Sequence, residues 1–73
     1  QYALDSPQEI DLAIHNMAGQ RVRTLAQGFH RAAEHTAHFD GRDDAGRQLA
    51  SGVFLCRLRT STGVTTRKLL LLR

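Results

Sequence analysis

Glu9-Ile10-Asp11-Leu12-Ala13-Ile14-His15 places an apolar residue at every second position through Ile10, Leu12 and Ile14. Side chains alternate across a strand with period two, so this spacing predicts a strand with one buried face and excludes a helix of period 3.6. Asn16-Met17-Ala18-Gly19-Gln20 then reads as a turn, with Gly19 free to take a positive φ. Arg21–Leu25 is a second strand, and the pair forms a hairpin that Gln27-Gly28 breaks. Glu34–Phe39 is a further strand, with His35, Ala37 and Phe39 on one side. Gly52–Thr60 and Val64–Arg73 make a last hairpin around Thr62-Gly63, and Tyr2-Ala3-Leu4 is a short strand before Ser6-Pro7. No amphipathic helix is legible. Turn residues recurring about every 8–12 positions between short strands predict an all-β antiparallel sandwich of about six or seven strands.

The chain has 73 residues, which sets one small domain over 1–73. A domain of this size buries only about 60% of the surface its unfolded chain exposes, so its core is thin. No run of about 18 apolar residues is present to span a membrane. The start at Gln1, with no initiator methionine and no signal peptide, reads as a processed product or a piece of a longer protein. Net charge is +3, and Arg supplies almost all the cations, with Lys68 the only lysine. Arg can mean phosphate binding; a biased genome composition is the plainer account. Cys56 is the only cysteine, so no internal disulfide forms, and it reads as a small core residue rather than a nucleophile.

His38-Phe39-Asp40-Gly41-Arg42-Asp43-Asp44-Ala45-Gly46-Arg47 concentrates acids and poses a choice between a calcium loop, a catalytic cluster and a corner in the chain. A calcium-binding EF-hand loop needs an oxygen ligand at position 3, Gly at 6 and Glu at 12. Counted from Asp40, those places hold Arg42, Ala45 and Ser51. Catalytic carboxylates need environments that drive their pKa values apart, whereas Arg42 and Arg47 would keep all these acids ionised. Asp side chains that accept amides two residues on fix turns, and Gly41 and Gly46 supply unusual φ values. Asp40, Gly41, Asp43, Asp44 and Gly46 are therefore assigned as turn-forming.

His35 and His38 fall on opposite faces of a strand and cannot share an ion; His38 and Asp40 share a face but make a solvated pair rather than a metal site. There is no nucleophile elbow and no Gly-rich phosphate loop. Nucleic-acid binding wants aromatic platforms among the cations, and of Tyr2, Phe29, Phe39 and Phe54 the last two point inward. These readings predict no catalytic residue, no metal, no cofactor and no nucleic acid, and a small hydrolase or metal enzyme is set aside.

The last hairpin carries most of the functional signal. A two-residue turn at Thr62-Gly63 pairs Phe54 with Leu71, Cys56 with Leu69 and Leu58 with Arg67, which makes one core face. The other face pairs Val53 with Leu72, Leu55 with Leu70 and Arg57 with Lys68. A two-layer fold buries one face of each sheet, so Val53, Leu55, Leu70 and Leu72 are a surplus. Each apolar side chain left in water forgoes about 1.5–3 kcal/mol, and a contiguous exposed patch marks an interface. Arg57 opposite Lys68 is a like-charge pair that an acidic partner surface would relieve. Val53, Leu55, Arg57, Lys68, Leu70 and Leu72 are the candidate recognition residues. A one-residue slip would move them to the other face.

Four groups of residues, taken together, add to the pattern. Leu12-Ala13-Ile14-His15-Asn16-Met17-Ala18-Gly19-Gln20-Arg21-Val22-Arg23-Thr24-Leu25 is followed by Asp40-Gly41-Arg42-Asp43-Asp44-Ala45-Gly46-Arg47, then by Ala50-Ser51-Gly52-Val53-Phe54 and Thr66-Arg67-Lys68-Leu69-Leu70-Leu71-Leu72-Arg73. In combination, from Ile10 to Arg73, the chain resembles the FlgD-type immunoglobulin-like domain, a family that includes the C-terminal sorting domains of the type IX (Por) secretion system. Phe39 stands where the family usually has Trp, and His15 and Cys56 where an aromatic is common. The resemblance implies an immunoglobulin-like sandwich with no active site. It also implies recognition through the Gly52–Arg73 hairpin during export, and a life beyond the periplasm at the cell surface or outside the cell.

Two functional expectations follow. The first is a non-catalytic module for secretion sorting and surface attachment of an exported bacterial protein, its partner being export machinery or a cargo domain. The second is a structural subunit that meets copies of itself through edge strands and the apolar outer face, giving a homo-oligomer, filament or cap. In that case residues 1–9 serve as an extended donor strand.

Overall fold

The computed structural model describes residues 2–4, 6–30, 34–35 and 38–72. Six strands appear: β1 (Tyr2–Ala3), β2 (Gln8–His15), β3 (Arg21–His30), β4 (Glu34–His35), β5 (Gly52–Thr60) and β6 (Gly63–Leu71). β3, β2, β5 and β6, in that spatial order, form one antiparallel sheet, and β1 pairs with β4 in a separate two-stranded ribbon. The described residues are thus all-β around a single four-stranded sheet, in place of two full sheets. Of the strand expected at Glu34–Phe39, only β4 is present among the described residues; Thr36 and Ala37 lie outside them, and His38 and Phe39 are not in a strand.

β2 occupies the interior of the sheet because its sequence tolerates it. Ile10, Leu12 and Ile14 are buried on the inner face together with Phe54 of β5, and Leu4 joins the core from beyond β1. Ala13 is 1% exposed and His15 is 7% exposed, so β2 is covered on its outer face as well. From Asp11 to His15 the strand is flanked on both sides, with Leu12 opposite Ala26 in β3 and Leu58 in β5, so its backbone groups there find partners in both directions.

β3 runs through Gly28 to His30, so Gln27-Gly28 does not end it. Gly28 keeps its place opposite Ile10 at φ 105°, a conformation costly to residues with a Cβ. Register shifts at Leu12/Ala13 and Ile14/His15 let the long strand bend while its ladder continues. The β2–β3 turn is tied by Asn16, whose Oδ1 accepts the amides of Ala18 at 3.0 Å and Gln20 at 2.9 Å.

The β5–β6 hairpin differs from the expected register by two residues. Its tip is Ser61-Thr62, with Thr60 opposite Gly63, and Gly63 takes the positive φ just after the turn rather than within it. Gln8 explains the choice. Its Oε1 accepts the Ser61 amide at 3.1 Å and the Ser61 hydroxyl at 2.7 Å, across 53 residues of sequence. Phe54 therefore faces Leu69, Val53 faces Leu70, Leu55 faces Lys68 and Arg57 faces Thr66. A shift of two leaves every side chain on its predicted face, but it removes the direct Arg57–Lys68 opposition. Tyr2–Ala3 pairs with β4, and Gln8 and Glu9 belong to β2, so these parts of the proposed donor strand are already paired within the chain.

Ile14 is the largest side chain that is fully buried among the described residues. Ile14→Ala removes packing that costs about 2–5 kcal/mol, a large share of the stability of a domain this small. Urea denaturation followed by circular dichroism should show a much lower midpoint or no folded baseline.

Candidate functional site

The acid-rich loop is built as a set of hydrogen-bonded turns. Asp40 Oδ1 accepts the Arg42 amide at 3.0 Å and the Arg23 guanidinium at 2.8 Å. Asp43 Oδ1 accepts the amides of Ala45 at 3.0 Å and Arg47 at 2.9 Å, while its Oδ2 meets Arg47 Nε at 3.1 Å. Gly41 and Gly46 turn the chain at φ 77° and 83°. The amide of Arg42 holds the Asp40 carboxyl below its usual range, and the amide of Arg47 does the same for Asp43. Ionised carboxylates held on backbone amides have no proton to trade, so the arrangement suits structure rather than acid–base chemistry.

Asp44 gives the loop its place in the fold. Its amide donates to the Val22 carbonyl at 3.0 Å, and its Oδ1 accepts the Thr24 amide at 3.0 Å. The loop thereby caps the outer edge of β3 beside the register shifts, where backbone groups would otherwise be exposed for strand addition. His38 is exposed, and no group of three metal-binding side chains occurs among the described residues.

The candidate recognition residues lie along one face of β5 and β6. Leu70 is 62% exposed, Leu72, just past the end of β6, 76%, and Val53 37%. Lys68 is exposed, while Leu55 and Arg57 are half-buried. β6 has β5 as its neighbour in the sheet and none on its other side among the described residues, so its outer edge carries unpaired backbone groups. The patch is therefore an apolar end formed by Val53 and Leu70, a cationic middle formed by Lys68 and Arg57, and an open strand edge.

Residues from β2 and β3 extend this face. Arg57 lies opposite Ala13, Arg59 opposite Asp11, Leu55 opposite His15, and His15 in turn opposite Arg21. Asp11 is held by Arg21 through both oxygens, at 2.8 Å and 2.5 Å, and this pairing lowers its pKa. Asp11, Ala13, His15, Arg21, Arg57 and Arg59 line a recess of about 20 Å³. The Arg57 Nε is buried and has no hydrogen-bond partner among the described residues. Asp11, Arg21 and Arg59 were not singled out from the sequence, although the signal was available: the alternation that puts Ile10, Leu12 and Ile14 inside puts Asp11, Ala13 and His15 outside. An open groove along Glu9, Asp11, Gln27, Gly28 and Arg59 adjoins the recess. Burial raises the pKa of the half-buried Cys56, which keeps it a thiol rather than a reactive thiolate at neutral pH.

The sequence profile of the FlgD Ig-like domain matches residues 1–63. The chain belongs to the FlgD Ig-like domain family. This is a non-catalytic domain type, in keeping with a loop whose acids are spent on turns. The match extends from β1 through β5 to the hairpin tip, and the greater part of β6, with Arg67, Lys68 and Leu70, lies beyond it. Comparison with curated proteins and with solved structures gave no match. No helix among the described residues is long and apolar enough to cross a membrane, which says nothing of a β-barrel.

Asp43→Ala removes the acceptor for two loop amides and should lower the melting temperature by several degrees, while Asp43→Asn keeps an acceptor oxygen and should lose much less. Asp11, Asp40 and Asp43 all have depressed pKa values in the folded state. Their contribution is then fully present above the ordinary carboxylate pKa of about 4 and is lost as pH falls through the lower folded values. Thermal melts should give a plateau near neutrality and a steady decline below about pH 4.

Proposed function

We propose that this FlgD Ig-like domain is a non-catalytic docking module that sorts and attaches an exported bacterial protein, with the outer face of the β5–β6 hairpin as its recognition surface. The supporting observation is the exposure of Leu70 and Leu72 beside an open strand edge. Apolar side chains in water on the face that also carries Arg57 and Lys68 are what a partner would cover. The resemblance to type IX sorting domains names the route: export through the periplasm to the cell surface or beyond, with the terminal hairpin read by the export machinery. In this reading the β1–β4 ribbon contributes to a second layer, and the whole is an immunoglobulin-like sandwich.

The open β6 edge favours one second reading, a structural subunit that adds copies of itself edge to edge into a filament or cap. Light scattering separates the two. Growth of particle size with concentration supports assembly, and a monomer at high concentration removes it.

Fusion of residues 1–73 to a neutral reporter in a host with type IX machinery should deliver the reporter to the surface. Leu70→Ser with Leu72→Ser should leave folding intact, because both side chains already face solvent, and should abolish delivery. Retention of the wild-type fusion inside the cell would overturn the sorting reading.

A further inference from the structure

The outer face has an imbalance of charge that its own acids do not correct. Asp40, Asp43 and Asp44 are spent on Arg23 and Arg47, and Asp11 on Arg21. Arg57, Arg59 and Lys68 have no such counter-ion among the described residues and stand on adjoining positions of the same face. Arg57 and Arg59 are two apart on β5, and Lys68 is diagonal to Arg57 across the β5–β6 ladder. Ala13 makes the floor low beneath them: a methyl side chain on the central strand leaves the recess between β3 and β5 that Arg21, Arg57 and Arg59 wall. The guanidinium-bearing residues Arg21, Arg57 and Arg59 line this recess with one carboxylate, that of Asp11. Arg57 stands between Arg59 and Lys68 on this face, and a crowd of cations around one acid is relieved by an anion supplied from outside.

We propose that this recess seats the carboxylate of a Glu or Asp side chain belonging to an acidic protein segment laid along the outer face, with Arg57 as the anchoring group. The proposal rests on the reading of the domain as a docking module and names the chemistry of its partner. Charge and position together select the ligand. Beyond Arg57 the same face carries Leu55 and Val53 on β5 and Leu70 on β6. An extended segment whose every second residue faces the sheet, acidic at one end and apolar at the other, would meet the cations with its acids and the leucines with its apolar residues. Guanidinium recognition of carboxylates is geometrically specific, which makes Arg57 more than one unit of net charge.

The peptide Glu-Ser-Glu-Ser-Leu-Ser-Leu, whose two Glu and two Leu share one face when extended, tests this against the full chain. Proton–nitrogen correlation spectra that resolve arginine side chains should show the Arg57 Nε–H signal shifting with peptide, and the affinity should fall with added salt. Arg57→Gln should weaken binding by about tenfold, the loss expected for one charge-assisted pair, and Arg59→Gln should weaken it less. Arg67→Gln, which removes the same charge from the opposite face, should leave affinity unchanged. If Arg57→Gln fails to fold, the wild-type Nε–H shift and the Arg59→Gln affinity decide. The proposal is overturned if Arg67→Gln costs as much as Arg57→Gln, if the Arg57 signal does not move, or if inorganic phosphate or a single-stranded oligonucleotide moves it equally at matched ionic strength. Failure of the sorting reading has a different signature, a reporter fusion that is not exported while the peptide still binds.

Discussion

Burial of the second half of β2, Leu12 to His15, on both faces and between two neighbouring strands is the constraint from which the rest of the structure follows. Its inner face demands a hydrophobic layer, which Phe54 and Leu4 help supply. Its two ladders need β3 on one side and β5 on the other, so the first hairpin and the last are brought together although the acid-rich loop separates them in sequence. Non-local pairing of this kind carries an entropic cost of loop closure. Gln8 offsets part of it by bonding Ser61 at the far hairpin tip, which also sets the register of β5 against β6.

The two edges of the sheet are treated differently, and the proposed function rests on that difference. At β3 the loop from Asp40 to Arg47 occupies the edge, with Asp44 taking both a donor and an acceptor of the strand. At β6 nothing among the described residues does so. Arg67 and Lys68 supply the charge that natural edge strands use against indiscriminate pairing, while Leu70 nearby remains exposed. A protected edge, an open edge and an apolar patch beside the open one are the features on which the docking proposal rests.

Much of this was legible from local pattern. The alternation at Ile10, Leu12 and Ile14 located the core strand, Asn16 to Gln20 located its turn, and the faces of the last hairpin survived a register error because the error was two residues and not one. The candidate patch was legible for the same reason: Val53, Leu55 and Arg57 alternate with Phe54, Cys56 and Leu58. The continuation of β3 past Gly28 was not legible, since a glycine at positive φ within a strand looks the same in sequence as a glycine that ends one. The Arg57 recess was not legible either, because it takes Ala13 from one strand, Arg21 from a second and Arg57 from a third.

Sequence alone determined the all-β character, the inward and outward face of each long strand, the turn chemistry of the aspartates and the surplus of leucines near the end of the chain. These depend on period-two geometry and on hydrogen bonds between residues a few positions apart. Tertiary structure alone decided the strand order, the partner of each residue across the β5–β6 ladder, and which cations retain an acid. Those outcomes depend on contacts between distant segments, such as Gln8 with Ser61 and Asp44 with Thr24, whose free energy exists only once the intervening chain has closed.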